Sequence, residues 1–266
     1  GTLDMVDYRL AIKGMTIDLS GKEGIQASDE TMYDTNVIGT YDDNGFAYSA
    51  DQGFNLLYGI EQVRGSDLES DTIKGSISNN SIWGHGGDDT LYGVAGDNFL
   101  NGGADDDLVF AGLGADVMVG DSGNDMFKTY YDASGANDAL KFGGDNSIYG
   151  GTWDGTTATA SGSDTVDYSA ITDSNYSVFV DLAAEGQIVT VRENSDLSTA
   201  IKTDSVYHIN NAIGTSGDDT FRGNANANNL NGFAGNNTAL YTYTALIAGI
   251  NANLQAGTVT KTVASG

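Results

Sequence analysis

The clearest pattern along the chain is a period of nine. Between Ser66 and Lys128 an apolar residue returns at every ninth position without a slip, at Ile73, Ile82, Leu91, Leu100, Val109, Met118 and Phe127. A short fixed period belongs to repeat architectures, in which each unit buries its apolar residue against the next. Elsewhere the pattern is looser and alternates, as half-buried strands do. Leu3-Asp4-Met5-Val6-Asp7-Tyr8, Asp164-Thr165-Val166-Asp167-Tyr168 and Ala239-Leu240-Tyr241-Thr242-Tyr243 read as three copies of one strand. Each precedes an alternating strand, at Met15, Ile17 and Leu19, then Val178, Val180 and Leu182, then Ile250, Ala252 and Leu254. A glycine turn is expected next, at Gly21, Gly186 and Gly257. Gly59-Ile60-Glu61-Gln62-Val63 and His208-Ile209-Asn210-Asn211-Ala212 then lead the first two copies into a repeat array. Little reads as helix. The stretch from Ala239 to Leu254 could be mistaken for one, but its paired tyrosines and alternation favour strand.

The nine-residue register is chemical as well as apolar. Two residues before each apolar position stands an oxygen donor: Asp71, Asn80, Asp89, Asn98, Asp107, Asp116 and Asp125. Upstream of the donor each unit is rich in glycine, as in Gly84-His85-Gly86-Gly87-Asp88-Asp89 and Gly120-Asp121-Ser122-Gly123-Asn124-Asp125. Glycine there permits a positive φ and a tight turn. A shorter array runs from Gly214 to Leu240, with donors Asp219, Asn228 and Asn237 and the apolar residues Phe221, Leu230 and Ala239. Between the arrays, Gly144-Asp145-Asn146-Ser147-Ile148 and Gly162-Ser163-Asp164-Thr165-Val166 look like isolated units, and continuity is broken from Thr129 to Leu140.

With glycine, donor and apolar residue in phase, the pattern Gly-Gly-x-Gly-x-Asp-x-apolar-x resembles the nonapeptide of the RTX family over about half the chain. Departures are Ser78 and Asp105, where a glycine is expected two before the donor, His85 in place of another glycine, and four Asn donors. The resemblance implies an all-β fold, a parallel β-roll or β-helix-like solenoid with flanking β-strand caps. Each nonapeptide would be a six-residue turn and a three-residue strand, and two would make one coil. The implied cofactor is calcium, in several copies, about five or more, held by hard oxygen ligands between turns stacked on one edge. The side-chain ligands would be Asp71, Asn80, Asp89, Asn98, Asp107, Asp116, Asp125, Asp219, Asn228 and Asn237. Carbonyl ligands would come from the turn residues Gly84, Gly86, Gly87, Gly93, Ala95, Gly96, Gly102, Ala104, Gly112, Gly114, Gly120 and Gly123. Units two apart share an edge, so Asp71, Asp89, Asp107 and Asp125 fall on one and Asn80, Asn98 and Asp116 on the other. The tighter sites are expected on the aspartate edge, which carries more formal charge.

Composition sharpens this picture. The 266 residues include 37 acidic and 11 basic side chains, a formal charge of −26, and only 39% are hydrophobic. Such a chain resists compaction unless a cation binds, and nucleic acid is a poor partner. With neither cysteine nor proline present, disulfides and thiolate metal sites are excluded. No apolar run approaches the roughly 18 residues that span a bilayer, so membrane insertion by this segment is not expected. The N-terminus lacks the pattern of a cleaved signal peptide, which places any export signal outside the segment. Two histidines, His85 and His208, exclude a three-histidine zinc site, and there is neither a Gly-x-Ser-x-Gly elbow nor a phosphate-binding loop. Paired carboxylates are abundant, and calcium explains them more simply than glycosidase chemistry does.

The sequence therefore divides into a β cap (1–64), a main roll (65–128), an irregular RTX-like connection (129–163), a second β cap (164–213), a short array (214–240) and a truncated third cap (241–266). The expected role is structural and binding, not enzymatic: a calcium-dependent folding segment of a large RTX adhesin, surface-layer protein or toxin. By the resemblance it would be secreted by, or held on the surface of, a Gram-negative bacterium, exported unfolded by a type I system. The alternative is a carbohydrate-binding accessory module of a secreted polysaccharide-modifying enzyme. Candidate partners are a cell-surface glycan or neighbouring copies, met through the outward aromatics Trp83, Tyr92 and Phe110. The plainer reading is that these rings pack against the cap.

Overall fold

Short strands separated by glycine turns cannot bury both faces alone, so they stack into a coil whose interior is built around one inward apolar residue per repeat strand. The computed structural model describes residues 4–20, 45–57, 59–130, 141–183, 187–224, 226–241, 250–253 and 262–263, and among these the elements are strands. Two long sheets face one another, and successive turns of chain alternate between them.

In the first sheet, Met5–Asp7, Gln62–Arg64, Ser81–Gly86, Phe99–Ala104, Val117–Ser122 and Ser147–Tyr149 run parallel in that order. The second carries Thr16–Asp18, Thr72–Lys74, Thr90–Tyr92, Leu108–Phe110, Met126–Lys128, Asp164–Asp167, Ile209–Ile213, Asn228–Asn231 and Ile250–Asn253, again parallel. The fold is thus an all-β parallel roll. Its core is the two columns Val63, Ile82, Leu100, Met118, Ile148 and Val206, and Ile17, Ile73, Leu91, Val109, Phe127, Val166, Ala212 and Leu230, all buried. The residues on either side alternate to the other face and most are partly exposed, although Asp18, Val119 and Asp167 are buried too.

Strand length differs between the sheets. Second-sheet strands such as Thr72–Lys74 have the expected three residues, whereas Ser81–Gly86, Phe99–Ala104 and Val117–Ser122 each have six. The extension arises because turn residues keep the ladder, with His85 opposite Gly103 and Asp121 opposite Gly103. Positions two and four of the nonapeptide favour positive φ, taken by Gly87, Gly96 and Gly103 but also by His85, Val94, Asp105 and Asp121. Val94, at φ 67°, is the costliest of these, because a β-branched side chain crowds the left-handed region.

The two cap-like strand sets are used differently. At the N-terminal end Thr16–Asp18 pairs antiparallel with Gly45–Ser49, which pairs with Gly53–Leu57, and the second sheet ends there. Between the arrays, Tyr176–Asp181, Gln187–Glu193 and Asp196–Tyr207 form an antiparallel trio inserted within the first sheet. Its outer members pair parallel with Ser147–Tyr149 on one side and Thr220–Arg222 on the other. Both ladders therefore run past Lys128 into the second array. The third strand copy supplies Thr238–Tyr241 and Ile250–Asn253. The turns expected at Gly21, Gly186 and Gly257 lie outside the described residues.

Scarce basic residues are placed where cap strands meet the roll. Lys74 faces Asp18 at 3.5 Å, Lys128 pairs with Asp167, Arg222 meets Asp181 at 2.9 Å and Arg64 lies 3.9 Å from Asp7. Each pair joins residues in ladder register across a junction.

Candidate metal centres on the two edges of the roll

The donors predicted from the sequence line up in two columns, one on each edge. On the first edge the backbone N–H of Asp71 donates to Oδ1 of Asp89 (2.7 Å), that of Asp89 to Asp107 (2.8 Å), that of Asp107 to Asp125 (2.9 Å) and that of Asp125 to Asp164 (2.9 Å). Every one of these carboxylates is buried. One oxygen of each is thus committed to stitching coils together.

The other oxygen is left over. Oδ2 of Asp89, Asp107, Asp125 and Asp164 is buried with no hydrogen-bond partner. Burial, reinforced in each case by a neighbouring carboxylate, pushes Asp89 up to about 8, Asp107 to about 9 and Asp164 to about 8. Asp71 and Asp125 rise to about 6, also mainly through burial. Removing an unpaired ion from water costs several kcal/mol, more than the roughly 1.5 to 3 kcal/mol that burying one aliphatic side chain returns. Each of these carboxyls must therefore be neutralised in the folded roll, by a proton or by a bound cation.

The space in front of these oxygens suits one. A methyl group built on Gly84 would lie 2.0 Å from Oδ2 of Asp89 and 2.6 Å from the Gly102 carbonyl oxygen. The same closeness recurs at Gly65, between Oδ2 of Asp71 and the Gly84 carbonyl, at 2.0 and 2.7 Å, but here Oδ2 already accepts the Ser66 N–H at 2.6 Å and Oδ1 the Met15 N–H. Oδ2 of Asp107, Asp125 and Asp164 crowds Gly102, Gly120 and Gly150 in the same way. Carboxylate and carbonyl oxygens thus converge where only glycine leaves room, and such an all-oxygen set fits a calcium ion. Among the described residues no cluster of three or more His, Asp or Glu side chains could hold a metal, so an ion here would need turn carbonyls or water besides the carboxylates.

The second edge has the same backbone and a different chemistry. Asn80 N–H donates to Oδ1 of Asn98 (2.9 Å), Asn98 N–H to Asp116 (2.9 Å), Asp116 N–H to Asn146 (2.8 Å) and Asn146 N–H to Asp204 (2.7 Å). Here Asn98 turns its amide nitrogen on the carbonyls of Gly93, Ala95 and Gly96, at 3.1, 3.1 and 3.0 Å. Its two amide protons are shared among these carbonyls and Oδ1 of Asp116, whereas the amide nitrogens of Asn80 and Asn146 on the same edge are buried with no hydrogen-bond partner. Asp116 spends Oδ2 on the Gly112 N–H at 2.8 Å. Gly114 gives its carbonyl to Gly144 N–H. Gly86 and Ala104 face one another at the end of a strand pair, and the Gly123 carbonyl lies beneath Gly162.

In the short array, Asp219 accepts Val178 N–H on Oδ1 and Thr215 N–H on Oδ2, both at 2.8 Å, and burial raises it to about 7. Asn237 Oδ1 receives Asp219 N–H, and its amide nitrogen donates to the Gly232 and Ala234 carbonyls. Asn228 accepts Asn224 N–H and donates to the Asn210 carbonyl.

Three column members were missing from the predicted ligands. Asn146 and Asp164 stand two before Ile148 and Val166, so the local signal was present, but insertions put them 30 and 39 residues beyond their column neighbours Asp116 and Asp125. Asp204, in a strand with no glycine turn, carried no signal. A second, exposed ladder also escaped notice: Asp88 accepts Asp106 N–H (3.0 Å) and Asp106 accepts Asn124 N–H (2.7 Å). Of the outward aromatics, Tyr92 and Phe110 stack at 4.5 Å on one face, and Trp83 lies under Arg64 and beside Phe99.

The RTX calcium-binding nonapeptide repeat, in four copies, matches residues 67–100, 92–127 and 210–239. The chain therefore carries RTX repeats, which bind calcium and are structural rather than catalytic. No curated protein matches the chain. Among the described residues no helix is long and apolar enough to cross a membrane.

Proposed function

We propose that this chain is a folding segment of a large secreted RTX protein, an adhesin, surface-layer protein or toxin, whose roll forms when calcium reaches it outside the cell. The observation that carries this reading is the row of buried, partnerless Oδ2 atoms from Asp89 to Asp164, each next to a glycine cradle. In it, Asp71, Asp89, Asp107, Asp125 and Asp164 are the principal side-chain ligands, with the Asn-bearing turns weaker. Asp219 is the ligand of the short array. Extracellular calcium sites work at roughly 10⁻⁴ to 10⁻³ M, far above cytosolic supply, so export would precede folding. The cap segments would close or splice the roll. Circular dichroism with and without chelator tests the reading: the β spectrum is expected to collapse on chelation and return with calcium. A spectrum indifferent to calcium would refute it.

A second reading, a carbohydrate-binding module, draws on the stacked Tyr92 and Phe110. They line a shallow groove of about 550 Å³ together with Lys74, Ile77 and Leu113. Glycan titration by calorimetry separates the two, since the folding role alone produces no heat with sugar.

A further inference from the structure

The last member of the second column is not in a turn. Asp204 lies in the strand Asp196–Tyr207, yet its Oδ1 receives the Asn146 N–H just as each earlier donor receives the N–H of the coil before it. The residue two before the donor is Ser78, Gly96, Gly114 and Gly144 in the preceding units and Lys202 here. The Lys202 side chain is 1% exposed, as is that of Asp204. Its ammonium lies 3.1 Å from Oδ1 of Asp204 and donates to the carbonyl of Gly144. Gly144 occupies the same offset from Asn146 that Gly96 occupies from Asn98, where the carbonyl is a turn ligand candidate. The other oxygen of Asp204 accepts the buried Tyr168 hydroxyl.

We infer that Lys202 is a built-in replacement for calcium: its ammonium supplies the positive charge between the Asn146 turn and Asp204, from the Oδ1 side and not at the Oδ2 cradle used on the aspartate edge, closing the asparagine edge without a metal. Calcium needs six to eight oxygens, which two glycine turns can offer, and a strand on one side cannot. An ammonium carries three donors and one positive charge, and it needs only a carbonyl and a carboxylate to be held. The position also matters. It lies where the roll meets the antiparallel trio 176–207, so this junction holds together on its own charge, and the calcium-dependent coils stack onto it. The remaining junctions use Lys or Arg as well, at Asp18, Asp167 and Asp181, but those pairs keep their basic side chains partly exposed.

This inference rests on the calcium reading of the roll, and hydrogen exchange on the full chain separates the two. In chelator, amides of Asn146 and of residues 187–193 and 203–206 are expected to stay at least about tenfold more protected than those of 90–128. Lys202→Met, which keeps length and loses charge, is expected to abolish that difference. The double variant Lys202→Met with Asp204→Asn, which removes both charges, is expected to restore it in part, distinguishing an unpaired carboxylate from lost packing. Protection unchanged by Lys202→Met, no recovery in the double variant, or a native junction as unprotected as the roll would each overturn the inference. Should the roll itself stay protected in chelator, the calcium reading falls, and Lys202→Met still decides the role of the ammonium.

Discussion

The two edges of the roll share one backbone path and one hydrogen-bond scheme, and they differ in what the second polar atom of each donor side chain meets. Where the aspartate edge leaves Oδ2 of Asp89, Asp107 and Asp125 buried and unpaired, Asn98 on the opposite edge offers an N–H₂ that the turn carbonyls accept. At Asn98 the nitrogen meets the turn carbonyls, whereas the amide nitrogens of Asn80 and Asn146 on the same edge are buried without a hydrogen-bond partner, so that edge carries unmet donors where the aspartate edge carries unmet charge. Lys202 is a third solution, a cation supplied by the chain. The fold thus separates what shapes a coil, which is glycine and one aliphatic residue, from what neutralises it.

The largest effect that would break this contrast is expected from Asp107→Asn. The substitution preserves the Oδ1 acceptor for Asp89 N–H and exchanges only the free oxygen. Losing a charged ligand in two adjacent sites should cost about 2 to 3 kcal/mol, raising the calcium midpoint of folding tenfold or more. A calcium titration followed by circular dichroism measures it, and an unchanged midpoint would erase the distinction between edges. A smaller and opposite shift is expected from Asn98→Asp, which adds a carboxylate beside Asp116. Folding in saturating calcium should improve, while the calcium-free chain becomes less structured because two buried carboxylates then face each other. Smallest is Val94→Gly, which relieves a left-handed valine on the asparagine edge. It should stabilise the calcium-loaded roll by about 1 kcal/mol in urea denaturation, with no change in the number of ions bound.

Much of this was legible in the sequence because the nonapeptide writes its interior directly. Ile73 through Phe127, at every ninth position, became the two core columns, and the donors two before them became the two edge columns. The family match to 67–127 and 210–239 rests on the same period. What was hidden depends on insertions and on pairing across distance. Asn146 and Asp164 rejoin their columns only because the chain loops out and returns, which no local period records. The antiparallel trio 176–207 alternates like any cap, so nothing in its sequence distinguished a terminal cover from a splice between two stretches of roll. Asp204 and Lys202 sit in an ordinary strand, and their role appears only when the Asn146 turn is laid against them. Strand length in the first sheet was also misjudged, since His85 and Asp121 keep ladder register from within the turns.

Locating the ions tests the central claim most directly. Crystals grown in calcium, or soaked with terbium in its place, should give anomalous peaks between consecutive turns of the aspartate edge, next to Oδ2 of Asp89, Asp107 and Asp125, and none beside Lys202. Peaks confined to the turns of Asn80 and Asn98, with the aspartate cradles empty, would contradict it.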